Sequence, residues 1–420
     1  MALRRRELLY TGAGITAAML AGGPRGAAAG QAGGAGKVAR FGAIGLGNRG
    51  RYLLGLLARV EGAQITALCD LSPENVERAA QIAVAAGGGE PARFSGSPEA
   101  YRDLLSRDDV DAVLIATPTK WHCPMAVEAM KAGKHVGSEV PAGFFAEELW
   151  ELVRTKEATG RRYMLLENYL YTRQSLMIWQ MARAGVFGDP YYAEAAYLHD
   201  CRFMLFRPDG TLDWWGEWAS KHYGSDYPTH AMGPVCKWLG IHEGDRLSHC
   251  TCMMSRPRVL GQYAAAKFGA DSPQGRIEWA MGDYVSMTIM TEKGRLIRMD
   301  YDVNSPRPAD FPYVLQGTKG IFDSRRGVYI EEQSPHEKWE PAAKYQEAYD
   351  HPCWRTEGDR AEKAGHGGGD YFVIRDLVGM VLADREPWID VYDAAGWSVL
   401  FDCSRTVSYT HLTLPTIYSV

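Results

Sequence analysis

His230 is the residue whose type and setting point most directly to chemistry. It closes Tyr227-Pro228-Thr229-His230, and a helical run to Leu239 follows. A proline turn leading into a helix start lets a side chain project into a cleft. Imidazole exchanges a proton near neutral pH, so His230 suits a base that removes a hydroxyl proton while a hydride leaves the same carbon. Asp226, four residues earlier, either orients that ring and raises its basicity or stands as a solvent-exposed loop acid. Residue type alone leaves both open. Tyr197 and Tyr227 offer hydroxyls for hydrogen bonding or acid catalysis, or polar tips on packing side chains. Trp214, Trp215 and Trp218 form either a flat stacking surface or a buried aromatic cluster. His366, within Gly365-His366-Gly367-Gly368, suits a lid, a ligand contact or a turn.

A second set of residues suits phosphate. The apolar run Phe41 to Ile44 enters Gly45-Leu46-Gly47-Asn48-Arg49-Gly50, and Arg51 onward has helical spacing. In such a strand–turn–helix, Gly45 permits the turn and Gly47 puts no side chain between backbone and pyrophosphate. Gly50 lets helix and strand pack closely. The helix N-terminus adds free N–H groups and a positive dipole end. Twenty residues after Gly50, a strand-like run over 64–69 ends in Asp70, where an acid binds adenosine ribose hydroxyls. Leu71 and Ser72 follow, with no Arg for a 2′-phosphate, so the expected cofactor is NAD. Glu139 ends another strand, either facing the nicotinamide or capping the next helix.

The elements that must position these residues fall into two blocks. Over 37–168, strands at 110–116, 135–138 and 163–167 alternate with helices at 124–132 and 146–159. That pattern predicts a doubly wound parallel sheet, with ligands beyond the strand C-termini. The loop at 117–122, Glu139 and Asn168 fall on that edge. Over 169–407 the expectation is an α+β domain with an open, mainly antiparallel sheet. It has helices at 172–184 and 230–239, strands at 191–199, 246–254, 284–291, 295–303 and 313–316, and closing helices at 370–382 and 392–406. The stretches 201–226 and 335–368 read as an aromatic loop and an irregular segment. One sheet face needs cover, which predicts a homodimer or higher homo-oligomer.

The 420 residues suffice for two or three domains, and 46% hydrophobic with 23% charged residues are globular values. A net charge of −5 implies no nucleic-acid or anionic-membrane surface. The eight cysteines form no C-x-x-C pair; Cys250 and Cys252 share a strand face, which favours packing over zinc, and no metal is expected. Residues 1–36 read as a twin-arginine signal, Arg4-Arg5-Arg6 before an apolar stretch too short for a span, then a Gly/Ala linker. They predict a periplasmic or otherwise exported protein. Residues 408–420 read as a tail foreign to the fold.

Taken together, the glycine fingerprint with Asp70, Trp121-His122 and Glu139-Val140-Pro141 resemble the Gfo/Idh/MocA oxidoreductases. More narrowly, several stretches resemble glycoside hydrolase family 109, the NAD-dependent α-N-acetylgalactosaminidases. They are 134–142, Glu167-Asn168, Tyr197-Leu198-His199-Asp200, Tyr227 to His230, Ser305-Pro306-Arg307-Pro308, 316–320 and 365–368. The resemblance implies a Rossmann domain with NAD on Asn48, Arg49, Asp70, Thr119, Lys120, Trp121, His122, Glu139, Val140 and Asn168. It implies sugar on Tyr197, Tyr227, Pro228, Thr229 and His230. The implied reaction is transient oxidation at C3 of a hexosaminide, C1–C2 elimination, water addition and re-reduction; the alternative is an NAD-dependent sugar or cyclitol dehydrogenase. Four positions separate the two. Val140 stands where the dehydrogenases carry a proton-relay Lys, whereas Asp226 with His230 keeps their Asp-x-x-x-His spacing. Trp215 and Ala309 replace an Arg and a Tyr of the glycosidases.

Overall fold

The computed structural model describes residues 36–409. The arginine run at 4–6, nearly all of the linker and the tail beyond 409 lie outside the described residues. Five helices and six strands build the first lobe. In chain order they are β1 (Ala39–Ile44), α1 (Asn48–Leu57), β2 (Ala63–Asp70), α2 (Pro73–Ala85), β3 (Ala92–Ser95), α3 (Ala100–Leu105), β4 (Ala112–Ile115), α4 (His122–Lys131), β5 (His135–Ser138), α5 (Ala146–Thr159) and β6 (Tyr163–Leu165). The strands are all parallel, in the order β3-β2-β1-β4-β5-β6. All four residues of β4 are buried, as helix-covered parallel strands require. The order reverses between β1 and β4, and that reversal opens the crevice at the strand C-termini.

The chain then runs through α6 (Arg173–Arg183), β7 (Pro190–Leu198), α7 (Trp214–Ala219), α8 (Thr229–Leu239), β8 (Leu247–Met254), α9 (Val259–Phe268), β9 (Val285–Thr291), β10 (Leu296–Asp302), β11 (Tyr313–Gly317), β12 (Gly320–Asp323) and β13 (Gly327–Ile330). It ends in α10 (Gln346–Tyr349), α11 (Pro352–Ala361), α12 (Gly369–Ala383), α13 (Val391–Ser398) and α14 (Leu400–Tyr409). The second sheet has seven strands, ordered β13-β12-β11-β7-β10-β9-β8. Only β7 and β10 pair parallel; the other neighbours are antiparallel.

α8 is buried along its whole length and carries His230 on its first turn. A helix apolar all round belongs in a core. Gly240, left-handed at φ 68°, ends it. α12 returns to the first lobe, where the Leu377 side chain fills the space above Gly137 of β5.

Several elements differ from the sequence expectation. The stretch at 201–226 is not all loop: α7 forms there, its first turn capped by Asp213. Six residues give under two turns, too few for a periodic signal. The stretch at 335–368 is not irregular, since it holds α10 and α11. Pro352 at the first position of α11 is a start signal that was available. α9, β12 and β13 were unanticipated, and the last helix breaks at Val399 into α13 and α14.

Candidate active site

The cofactor crevice begins at the glycine turn. Gly45 has φ +85°, and a Cβ there would lie 2.6 Å from the Thr117 amide nitrogen. A Cβ on Gly50 would run into the Gly45 carbonyl, whereas one on Gly47 would meet open space. No side chain caps the α1 N-terminus, so its N–H groups remain for an anion. Asp70 ends β2 half-buried and accepts from the Leu46 and Ser72 amides at 2.6 and 2.8 Å and from Asn75 Nδ2 at 3.1 Å. Those bonds fix its carboxylate beside the turn.

Arg49 turns away from the helix end. Its Nε donates to Glu139 Oε1 at 2.7 Å and its Nη2 to Asp370 Oδ1 at 2.8 Å. Burial works against its charge, but Glu139 and Asp370 outweigh that and hold its pKa above the usual range. Its charge is therefore compensated by carboxylates before any phosphate arrives. Glu139 does not cap α5. Glu148 does, accepting from the Phe144 and Phe145 amides. Val140 is 4% exposed beside it. Asn168 donates to Asp370 at 2.8 Å, and its Oδ1 is buried with no partner. Such an orphaned acceptor fits an amide N–H of the kind a nicotinamide carboxamide carries. An open glycine turn, a free helix end, a fixed acid and this acceptor together fit NAD.

His122 does not face this crevice. It is 2% exposed, and its ring nitrogens lie 2.8 Å from the Pro141 carbonyl and 2.6 Å from that of Thr117. Both are spent pinning the 117–122 loop to Pro141. Thr119 is buried nearby, while Lys120 lies over the exposed Trp121 ring.

The pocket proper forms around His230. Its Nδ1 donates to Glu167, with oxygens at 2.8 and 2.9 Å, and the Glu167 side chain is fully buried. That leaves Nε2 for the pocket. Tyr169, Tyr227 and Tyr197 flank the ring at centroid distances of 4.6, 4.9 and 5.3 Å, and Phe311 packs on Tyr169 and Tyr197. Burial raises the Tyr197 and Tyr227 phenols above their ordinary range, so both stay protonated and serve as hydrogen-bond donors. Pro228 is buried at the start of α8, and the Thr229 hydroxyl is buried without a partner.

His366 joins the same pocket, its ring 6.1 Å from His230 and 5.6 Å from Tyr169. Its Nδ1 donates to Asp370 Oδ2 at 2.7 Å, and 37% of its side chain is exposed. Burial opposes ionisation of Asp370, but His366 and Arg49 overcome it and hold the carboxyl well below the usual range.

Asp226 corrects the expectation placed on it. It neither orients His230 nor lies in solvent: it is 2% exposed and accepts from Trp215 Nε1 at 2.7 Å and from the Tyr301 hydroxyl. Burial pushes its pKa up to about 6, against those two hydrogen bonds. Trp218 stacks on Phe144 and His222 at 3.8 and 3.7 Å, within a separate aromatic cluster. Glu167, Asp370, Tyr169 and Phe311 were missed as site residues. Glu167 carried a signal, an acid at the C-terminal end of a parallel strand. Asp370 carried one too, lying four residues after His366, whereas Tyr169 and Phe311 depend on contacts between distant segments. Among the described residues no three His, Cys, Asp or Glu side chains gather to hold a metal, and no helix is long and apolar enough to cross a membrane.

Comparison with known proteins agrees with this architecture. Residues 39–167 match the family model for the oxidoreductase family NAD-binding Rossmann fold (Gfo/Idh/MocA), and residues 171–411 match that for the glycosyl hydrolase 109 C-terminal domain. A family 109 protein of Shewanella pealeana is 38% identical over 368 residues, covering 86% of this chain and 80% of that protein. One from Saccharopolyspora erythraea is 40% identical over 367 residues, covering 87% and 79%. Among solved structures, levoglucosan dehydrogenase in complex with NADH superposes with a TM-score of 0.67 at 18% identity, over 89% of this chain and 97% of that one. This last likeness shows the fold alone. The chain thus belongs to glycosyl hydrolase family 109, with the family's C-terminal domain built onto an NAD-binding Rossmann domain of the Gfo/Idh/MocA oxidoreductases.

Proposed function

We propose that the protein is a glycosidase acting on a hexosaminide such as an α-N-acetylgalactosaminide by oxidation at C3, elimination across C1–C2, water addition and re-reduction. The observation that carries this reading is the pair of carboxylate-backed imidazoles, His230–Glu167 and His366–Asp370, on one aromatic pocket. The Gly47 turn, the α1 N-terminus, Asp70 and Asn168 would hold NAD, which when bound would supply hydride-transfer chemistry. The buried His230 takes the ring hydroxyl proton at Nε2 and later returns it, while Glu167 keeps Nδ1 protonated. The more exposed His366 serves the mouth of the pocket, giving a proton to the leaving-group oxygen and taking one from water. Tyr197 and Tyr227 donate to sugar oxygens. Glu167 and Asp370 are buried behind their imidazoles. Each is engaged by its imidazole, whereas hydrolysis by two carboxylates requires both to be free in the pocket. Val140 at the end of β5 supplies no lysine relay. Export through the twin-arginine route belongs to the same reading, since a cofactor regenerated each turnover needs no outside supply.

The test uses protein as purified, a panel of aryl glycosides, D₂O and no added NAD. The expected product is free sugar with deuterium at C2 and no net NADH. Stoichiometric NADH with a ketone product, and no aglycone released from any glycoside, would move the protein to the dehydrogenase reading.

A further inference from the structure

Cys250 sits mid-way along β8, the end strand of the second sheet, and Cys403 lies in α14, which packs against that strand. The two thiols adjoin, and each shifts the other's protonation, Cys250 upward and Cys403 downward. Both are half-buried, whereas the other six cysteines are buried. The two most exposed thiols are thus also neighbours, although the chain separates them by most of the second lobe. No three ligating groups gather there or elsewhere among the described residues, so the pair is not part of a metal site.

We propose that Cys250 and Cys403 form a modification site, closing to a disulfide by exchange with an external disulfide. The neighbouring Cys250 holds the Cys403 thiol below its ordinary range and makes it the attacking sulfur. Its thiolate attacks one sulfur of the external disulfide, whose S–S bond breaks and releases one thiolate. Cys250 then loses its proton to solvent and attacks the Cys403 sulfur of the mixed disulfide, expelling the second thiolate. The protein gives up two electrons and two protons, and the external disulfide becomes two thiols.

The bond ties the last described helix to the sheet edge. α14 also supports the approach to the pocket: the Ser225 amide donates to Ser404 Oγ at 2.9 Å, and the Ala146 amide to Asp402 Oδ2 at 3.2 Å. Ser225 immediately precedes Asp226 and the turn to His230. Closing so long a loop restricts the unfolded chain far more than the folded one, so the product is a heat-resistant form with the same pocket.

The full-length protein, first reduced and then dialysed, is incubated with oxidised glutathione. Intact mass, thiol titration after denaturation and non-reducing peptide mapping follow. The expected result is the loss of two hydrogens per chain, two fewer thiols than the eight of the reduced protein, and one peptide pair joining 250 to 403. The oxidised form melts about 3 °C or more above the reduced form. Cys250→Ser and Cys403→Ser each abolish the cross-link and the oxidation-dependent rise, and each leaves the remaining thiol carrying glutathione. Eight free thiols after oxidation, or glutathione on both positions without a cross-link, would overturn the site. A cross-link with no rise in melting temperature would overturn its stapling role.

Discussion

Glu167 decides which atom of His230 faces the pocket. By holding Nδ1 it fixes the tautomer and leaves Nε2 as acceptor. Glu167→Gln keeps the size but removes the charge that stabilises the protonated ring. The expected outcome is a fall in kcat of about 100-fold or more on a cleavable glycoside, with NAD affinity by calorimetry unchanged. A fall of less than about tenfold, roughly 1.4 kcal/mol, would remove Glu167 as the orienting acid. Asp226 makes a different prediction. Its folded-state pKa of about 6 lies above the ordinary 3.8, so the folded protein binds the proton more tightly than the unfolded chain. Stability from this group is therefore present at low pH and lost as pH rises through about 6. The loss between pH 4 and 6 is on the order of 2 kcal/mol, and urea titrations of wild type against Asp226→Asn should show that slope only in the wild type. Equal slopes in both proteins would mean that the buried carboxyl does not titrate there.

α8 holds His230 at one end, and its other end is fixed by a buried ion pair. Lys237 Nζ lies 2.6 Å from Asp393 Oδ2 of α13, both nearly sealed from solvent, and His242 Nδ1 lies 3.1 Å from the other Asp393 oxygen. Burial works against the Lys237 charge, and Asp393 more than restores it, so its pKa is raised. Removing the lysine leaves the buried carboxylate without its ammonium partner, with the His242 imidazole still beside it. Lys237→Met should destabilise by about 3 kcal/mol in chemical denaturation, and adding Asp393→Leu should recover most of that loss. If the single variant costs no more than a typical surface change, the pair is not what fixes this end of α8.

At the scale of the molecule, what could be read beforehand divides by chain distance. The glycine turn, Asp70 and the buried strands β4 and β5 announce themselves within a few residues, because backbone freedom and side-chain period are local properties. The parallel first sheet follows from their alternation with helices. The pocket resists such reading. His230 and its partner Glu167 come from different lobes, and the sequence carries no mark of their pairing. Asp226 illustrates the same limit: its spacing to His230 suggests a partnership, yet Trp215 and Tyr301 claim both of its oxygens. β12 and β13 hold only two and three apolar residues, without the unbroken apolar run that marks β4. His366 kept three roles open until Asp370 and Tyr169 placed it.

The return of α12 to the first sheet bears on how such a protein is recombined. Gly137 of β5 has no side chain because Leu377 fills the space above it, and the carboxylate of Asp370 is what clamps Arg49 beside the glycine turn. The cofactor half is thus encoded in two separated stretches, one before and one after the second sheet. A fragment cut at the apparent border near residue 168 would carry the whole fingerprint yet lack a wall of its own core. Grafting a new sugar pocket onto this dinucleotide domain therefore means keeping α12 with it, and exchanging only what lies between.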